Sequence, residues 1–385
     1  MSRATKLMGM APWQDEYKIM GLAPWGEKKK AIAIVEKFRE MWQLDGLQYR
    51  NQCGYAGDAL VEYMRKHFKD VRFDYMAFGI QKILEELLTG WVENNVDHYR
   101  IPQIACAGGV FLNVKANKRI MELPQINNAF WFPAAGDDSI AIGAGILGTL
   151  KIQEKNHVKR HIQPMKNVYW GEPIENAIED YIKTNDLNGF EVEKPDNIDL
   201  KAAQLLANNE IVARCTGRME YGPRALGNRS ILANPSNIEN IQILNEMIKS
   251  RDFWMPFAGT ILDNATSRYL KNPKNISSPY MILSFDTNPK NRQEIKAATH
   301  QSDGTIRPQI LTQEMNPGYY QLIKRFEELT GIGGVLNTSL NLHGDPMVNL
   351  PEEAIHVLTH SALKYLALGP YLISKQPAKM ERKEE

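Results

Sequence analysis

Two stretches in the first half of the chain share one grammar, and it limits the fold more than any other feature. In IPQIACAGGVFLNVKANKRIMEL, residues 101–123, a short apolar run meets Gly108-Gly109 and passes into a polar segment carrying Asn113, Lys115 and Asn117. In NAFWFPAAGDDSIAIGAGILGTL, residues 128–150, an aromatic run meets Gly136 and two carboxylates before a helix of small residues. An apolar strand, a glycine turn and a helix make one unit of an α/β fold. Asp138 or Ser139 is placed to cap the second helix. GAGILG inside it matches GxGxxG, but it does not open the helix after a strand, as a dinucleotide fingerprint requires. Its small residues instead predict close helix packing.

The rest of the chain obeys the same periods. Met76, Phe78, Ile80, Ile83, Leu84, Leu87 and Leu88 recur at helical spacing, which predicts one long amphipathic helix. The second half opens with a helix carrying Ile174, Ala177, Ile178 and Ile182 on one face, and LKAAQLLANNEIVARCTG reads as helix then strand. At 385 residues the chain exceeds the size at which one core stops growing, so two domains are expected, with the polar stretch 151–165 as their boundary. KLMGMAPW (6–13) and KIMGLAPW (18–25) match at six of eight positions. Each reads as a turn with its Met and Trp packed beneath, or as a loop at a site mouth.

Charge and composition narrow the function. Lys plus Arg is 46 and Asp plus Glu is 45, so no overall field draws nucleic acid or an anionic membrane, and any anion site is local. The longest weakly polar run covers 12 residues, short of the roughly 20 of a membrane span. The N-terminus has no apolar core of a secretory signal, and Cys53, Cys106 and Cys215 lie far apart. A soluble, cytoplasmic protein is expected.

A local anion site is what GRMEYGPRALGNRS, residues 217–230, offers. Three arginines stand among three glycines and a proline. Glycine lets a backbone approach a ligand, and arginine presents a planar fork matched to phosphate or carboxylate. Lys249 with Arg251, Arg307 after Asp303-Gly304, and Ser339 with Asn341 pair similar chemistry with turn residues, which reads as a nucleotide-phosphate pocket. Asp137 and Asp138, between a strand and a helix, can ligate a metal or cap the helix. The pairs His157/His161 and His356/His360 have the i, i+4 spacing of a metal site but lack the Glu of HExxH, and read as surface helix turns.

Together DEYKIMGLAPWG, AGGVFLN, GDDSIAIGAG, GRMEYGPRALGNRS, RDFWMPFA, DGTIRPQ and LNTSLNLHGDPMV resemble, in order, the O-carbamoyltransferases of nodulation-factor and antibiotic biosynthesis. The resemblance implies a partial carbamoyl-transfer domain of the actin and hexokinase superfamily over 1–152, a linker over 153–165 and a YrdC-like domain over 166–385. It implies that the second domain makes carbamoyl-adenylate from carbamoyl phosphate and ATP with Mg2+. The first would pass the carbamoyl group to a hydroxyl of a sugar or antibiotic-like acceptor. Carried over residue by residue, Lys249, Arg224 and Arg251 act in catalysis, and Arg229, Arg307, Ser339 and Asn341 hold the carbamoyl-adenylate. Gly108, Gly109 and Asn113 would line a nucleotide site, and Asp137 would ligate a divalent metal such as Fe2+. In the family a histidine pair upstream of DEYKIMGLAPWG completes that metal site. Here the chain begins almost at the motif, so three readings stay open: a fragment, one subunit of a split enzyme whose partner chain carries the missing part, or a protein keeping only the activating half. Two rival readings are a nucleotide-binding subunit that is inactive alone and a tRNA-modification factor, against which the near-neutral charge argues.

Overall fold

The computed structural model describes residues 1–157, 162–249 and 252–376, with the side chains of Met247 and Lys249 outside that description. The long amphipathic helix forms over Phe73–Tyr99. Its first turns pack with the helices Ser2–Leu7, Glu16–Leu22, Lys28–Met41 and Gly57–His67, burying Ile19, Phe38, Met64 and Ile80 in one cluster. Its last turns belong to a larger cluster, in which Leu88, Val92 and Val96 join Trp131 and a core running on to Ile373. These two hydrophobic clusters therefore meet along this helix, between Ile83 and Leu88, and a smaller third cluster gathers Val168, Leu226, Ala258, Tyr280 and Met281. The tryptophans of the duplicated motif are not beneath its turns as expected. Trp13 is 78% exposed and Trp25 lies edge-on to Phe253, while Met8 is buried.

The two strand–turn–helix stretches fold as predicted. Gln103–Cys106 and Asn128–Trp131 are parallel partners, joined through the helix Val114–Glu122. The helix after the second strand, Ile140–Asn156, corrects one expectation. It buries no residue, and a Cβ on Gly143, Gly145 or Gly148 would meet nothing within 4 Å. Its small residues serve no close packing among the described residues because nothing there lies against them. Ser139 stands at its N-cap but donates its hydroxyl to the Ala134 carbonyl, so no side chain caps it.

In the second half the helices Glu175–Thr184 and Ile198–Ala207 form where the apolar periods predict, and Ile178, Ala202 and Leu206 are buried. Eight strands make one mixed sheet, in the order Pro308–Leu311, Ala258–Leu262, Gly334–Ser339, Arg229–Ala233, Val212–Cys215, Tyr365–Leu368, Tyr371–Lys375 and Phe190–Glu193. The central strands are buried throughout, as strands covered on both faces are, and they carry Arg214, Arg229, Ser230 and Thr260 among their apolar residues. No described helix is long and apolar enough to cross a membrane.

Candidate active site

The register of the large sheet gathers residues that are far apart in sequence. Gly259 pairs in parallel with Pro308, Ala258 lies opposite Asn337, Ser339 opposite Ser230, and Arg229 opposite Cys215. Arg307, the loop before Ala258, the Ser339–Asn341 turn and the loop 221–228 therefore all emerge at one end of the sheet. Arg224 is half-buried on that loop. Ser339 donates to Asn341 Oδ1 at 2.7 Å, and Asn341 donates to the Asp345 carbonyl at 2.7 Å, so this pair is one ordered unit. Lys249 ends the short helical segment Asn245–Lys249; its side chain and Arg251 lie outside the described residues.

The 221–228 loop is held from beneath by buried polar groups. Glu220, 3% exposed, accepts through one carboxylate oxygen from the amides of Leu226 (2.8 Å), Asn228 (2.7 Å) and Arg229 (3.3 Å). Such anion–amide bonds are about twice as strong as neutral ones. Arg214 donates to the Gly227 carbonyl at 2.7 Å and to Asn228 Oδ1 at 3.0 Å. Asn337 and Gln309 reach up from the sheet to the carbonyls of Ala225 (3.2 Å) and Leu226 (3.1 Å). Gly227 has φ +117°, and a Cβ there would stand 2.2 Å from the Tyr319 ring. Here glycine is required twice, by conformation and by contact.

Arg229 takes a different place from the one expected of it. It is fully buried, and its guanidinium donates to the carbonyls of Thr216 (2.6 Å), Asn228 (3.0 Å), Gly217 (3.3 Å) and Asn349 (3.1 Å). A cation engaged by four backbone acceptors ties these loops together.

The turns of the smaller sheet form a second locus. Gly108-Gly109 and Gly136–Asp138 follow the carboxyl ends of two parallel strands, where α/β folds bind ligands. The Gly108 amide donates to Ala135 O at 2.7 Å, which sets the turns side by side. Gly108 has φ +114°, and a Cβ on either glycine of the pair would meet nothing within 4 Å, so the backbone there is open to a ligand. Asp137 is exposed. Asn113 caps the helix Val114–Glu122 through the Ala116 amide (3.0 Å) and exchanges hydrogen bonds with buried Gln81. Its side chain therefore shapes the turn. Among the described residues no three His, Cys, Asp or Glu side chains group to hold a metal. His356 and His360 stack at 4.1 Å on an exposed helix end, and His161 lies outside the described residues.

Two connections between the loci were not read from the sequence. Lys115 Nζ bonds the Asp303 carboxylate and Thr305 Oγ1 beside a pocket of about 390 Å³ lined also by Pro24, Gln81 and Lys118. Burial works to raise the Asp303 carboxyl, but the Lys115 ammonium, His300 and the Thr305 amide together hold the group below its ordinary value. His300, 3% exposed, bonds Gly21 O at 2.7 Å through Nε2, and Ser302 donates to Pro24 O at 2.6 Å. The segment 300–305 thus clamps the APW turn and the helix after Asn113 just before Arg307. The second connection is Tyr221, whose hydroxyl donates to Asp138 O at 2.9 Å. The motif DGT before Arg307 was the only sequence signal for the first; an unremarkable tyrosine gave none for the second.

Comparison with known proteins agrees with the sequence resemblance. Residues 1–146 match the family model "Carbamoyltransferase N-terminus" and residues 203–375 match "Carbamoyltransferase C-terminus". The nodulation protein NolO of Bradyrhizobium diazoefficiens is 31% identical over 95% of this chain and 67% of its own length. The nodulation protein NolNO of Sinorhizobium fredii is 30% identical over 98% of this chain and 53% of its own. An uncharacterized protein of Methanocaldococcus jannaschii is 33% identical over 82% of this chain, which spans 51% of that relative's length.

Proposed function

Because the chain belongs to the carbamoyltransferase family, we propose that it activates carbamoyl phosphate with ATP at the arginine-bearing end of the eight-stranded sheet. The carbamoyl group then passes to an acceptor hydroxyl at the glycine–aspartate turns. One observation carries this reading: the sheet register brings the Arg224 loop, Arg307 and the Ser339–Asn341 turn to one end. Two polyanions must meet for activation, and this end concentrates cations in a chain of net charge +1. Balanced, the step consumes one water. Phosphate leaves carbamoyl phosphate, the carbamate oxygen bonds the α-phosphorus of ATP, and pyrophosphate departs. Arg224 and Arg307 offer planar forks to phosphate oxygens, Lys249 and Arg251 stabilise the charge that grows on the leaving group, and Ser339 and Asn341 orient the amide. Mg2+ enters as the counter-ion of ATP.

For transfer, the open backbone of Gly108-Gly109 offers amides to a nucleotide phosphate, and Asp137 and Asp138 can accept a hydrogen bond from the acceptor hydroxyl. Among the described residues two exposed carboxylates do not by themselves make a metal site. The test is pyrophosphate release by the purified chain given ATP, magnesium and carbamoyl phosphate. Release that depends on carbamoyl phosphate supports the reading; none from a folded, nucleotide-free preparation sinks it.

The helix Ile140–Asn156 favours a second reading of the transfer step. A helix apolar around its circumference is normally buried, yet Ile140 is 67% and Leu147 61% exposed. On this reading a further polypeptide segment covers the helix and completes the transfer site. The chain alone then releases pyrophosphate but carbamoylates no sugar or antibiotic-like acceptor.

A further inference from the structure

Tyr221 sits where the loop carrying Arg224 meets the turn carrying Asp137 and Asp138. Its amide donates to Val168 O at 2.7 Å, and its ring stacks on Trp170 with centroids 5.0 Å apart and planes 25° apart. With backbone and ring fixed, the hydroxyl has one place to reach. It donates to Asp138 O at 2.9 Å and lies 3.5 Å from Ser139 Oγ, which itself bonds the Ala134 carbonyl. The next residue, Gly222, has φ +107°, and a Cβ there would lie 3.4 Å from the Ala134 methyl, so the two loops touch at backbone distance.

The turn has few other restraints. Gly108 N bonds Ala135 O, Ser139 N bonds Gly136 O at 3.3 Å, and the helix that follows buries no residue that could anchor it. The Ile140 amide bonds Asp137 O and Ser139 Oγ bonds Ala134 O, but none of these bonds is made by a group of Asp138 itself, so the Tyr221 hydroxyl holds that residue from outside its own segment. Arg224 stands three residues further along the same loop.

We propose that Tyr221 is a positioning residue that sets the Asp137–Asp138 turn against the Arg224 loop, so that a ligand held by the loop is felt at the turn. This rests on the reading above in one respect, that the Arg224 loop takes carbamoyl phosphate. Tyr221→Phe keeps the ring and its stacking on Trp170 and removes only the donor.

Amide hydrogen exchange tests it, with carbamoyl phosphate alone as the probe. Without ligand, the amides of residues 136–140 should exchange about tenfold faster in the variant, the size of one hydrogen bond, while those of 222–228 stay within about twofold. Carbamoyl phosphate should slow both segments in the native protein, but only 222–228 in the variant. Unchanged exchange at 136–140 without ligand overturns the positioning role, and so does a turn that still responds to the ligand in the variant. If carbamoyl phosphate protects nothing at 222–228 in the native protein, the assignment of the Arg224 loop fails instead. The ligand-free comparison then still decides whether Tyr221 fixes the turn.

Discussion

The loop 221–228 and the helix Ile140–Asn156 are both rich in glycine and small residues, and they meet opposite fates. In the loop nearly every group has a partner: Glu220 gathers three amides, Arg214 and Arg229 hold carbonyls, and Tyr319 fills the space a Gly227 side chain would need. In the helix, Gly143, Gly145 and Gly148 face open space. A glycine in a sequence permits close approach; only a neighbour makes that permission necessary.

The largest effect comes from breaking the crowded side. Gly227→Ala places a methyl inside the Tyr319 ring position on a backbone with φ +117°. Overpacking and backbone strain together should cost roughly 3–5 kcal/mol, read as a fall in the denaturant midpoint. A midpoint unchanged within error would show that the loop yields where the contacts say it cannot.

The same end of the sheet should separate fold from chemistry. Lys249→Ala is expected to lower carbamoyl-phosphate-dependent pyrophosphate exchange by about 100-fold, as loss of one electrostatic stabiliser does, with no change in the unfolding midpoint. Arg229→Lys should do the reverse. An ammonium cannot reach all the carbonyls a planar guanidinium holds, so stability falls by about 2 kcal/mol before activity is read. If Arg229→Lys left stability intact, the buried cation would not be what ties the loop.

A subtler test compares conditions. Burial holds His300 below its ordinary value of 6.5, opposed by Asp303 and aided by Lys115. The folded state therefore binds fewer protons than the unfolded chain below that pH, so stability is full above 6.5 and declines as pH falls beneath it. His300→Asn should flatten that decline in thermal melts; parallel slopes would assign the proton elsewhere. The smallest effect belongs to the open side. Gly145→Ala should be neutral or raise stability by up to about 1 kcal/mol, because alanine favours helix and meets nothing. A clear loss of stability or solubility would mean that something packs on this helix in solution.

Much of the fold was legible because period and turn chemistry are local. Phe73–Tyr99, Glu175–Thr184 and the strands Gln103–Cys106 and Asn128–Trp131 follow from spacing and turn residues, while the structure added that the two strands pair in parallel. The candidate site was legible as residue types: Arg224, Arg307, Ser339 and Asn341 do arrive at one end of the sheet. The packing of Trp13 and of the Ile140–Asn156 helix was misjudged, because apolarity says a group should be covered without saying by what.

The sequence by itself determined which segments are strands, helices and turns, where glycine frees the backbone, and that the cations are clustered and not spread, since each of these depends on neighbours along the chain. Only the tertiary structure decided that Arg229 is bound by carbonyls while Arg224 is half-buried on the loop, that Lys115 finds Asp303, and that Tyr221 reaches Asp138. Those outcomes depend on strand register and loop closure between residues up to 188 positions apart. No local pattern encodes the distance between groups so far separated.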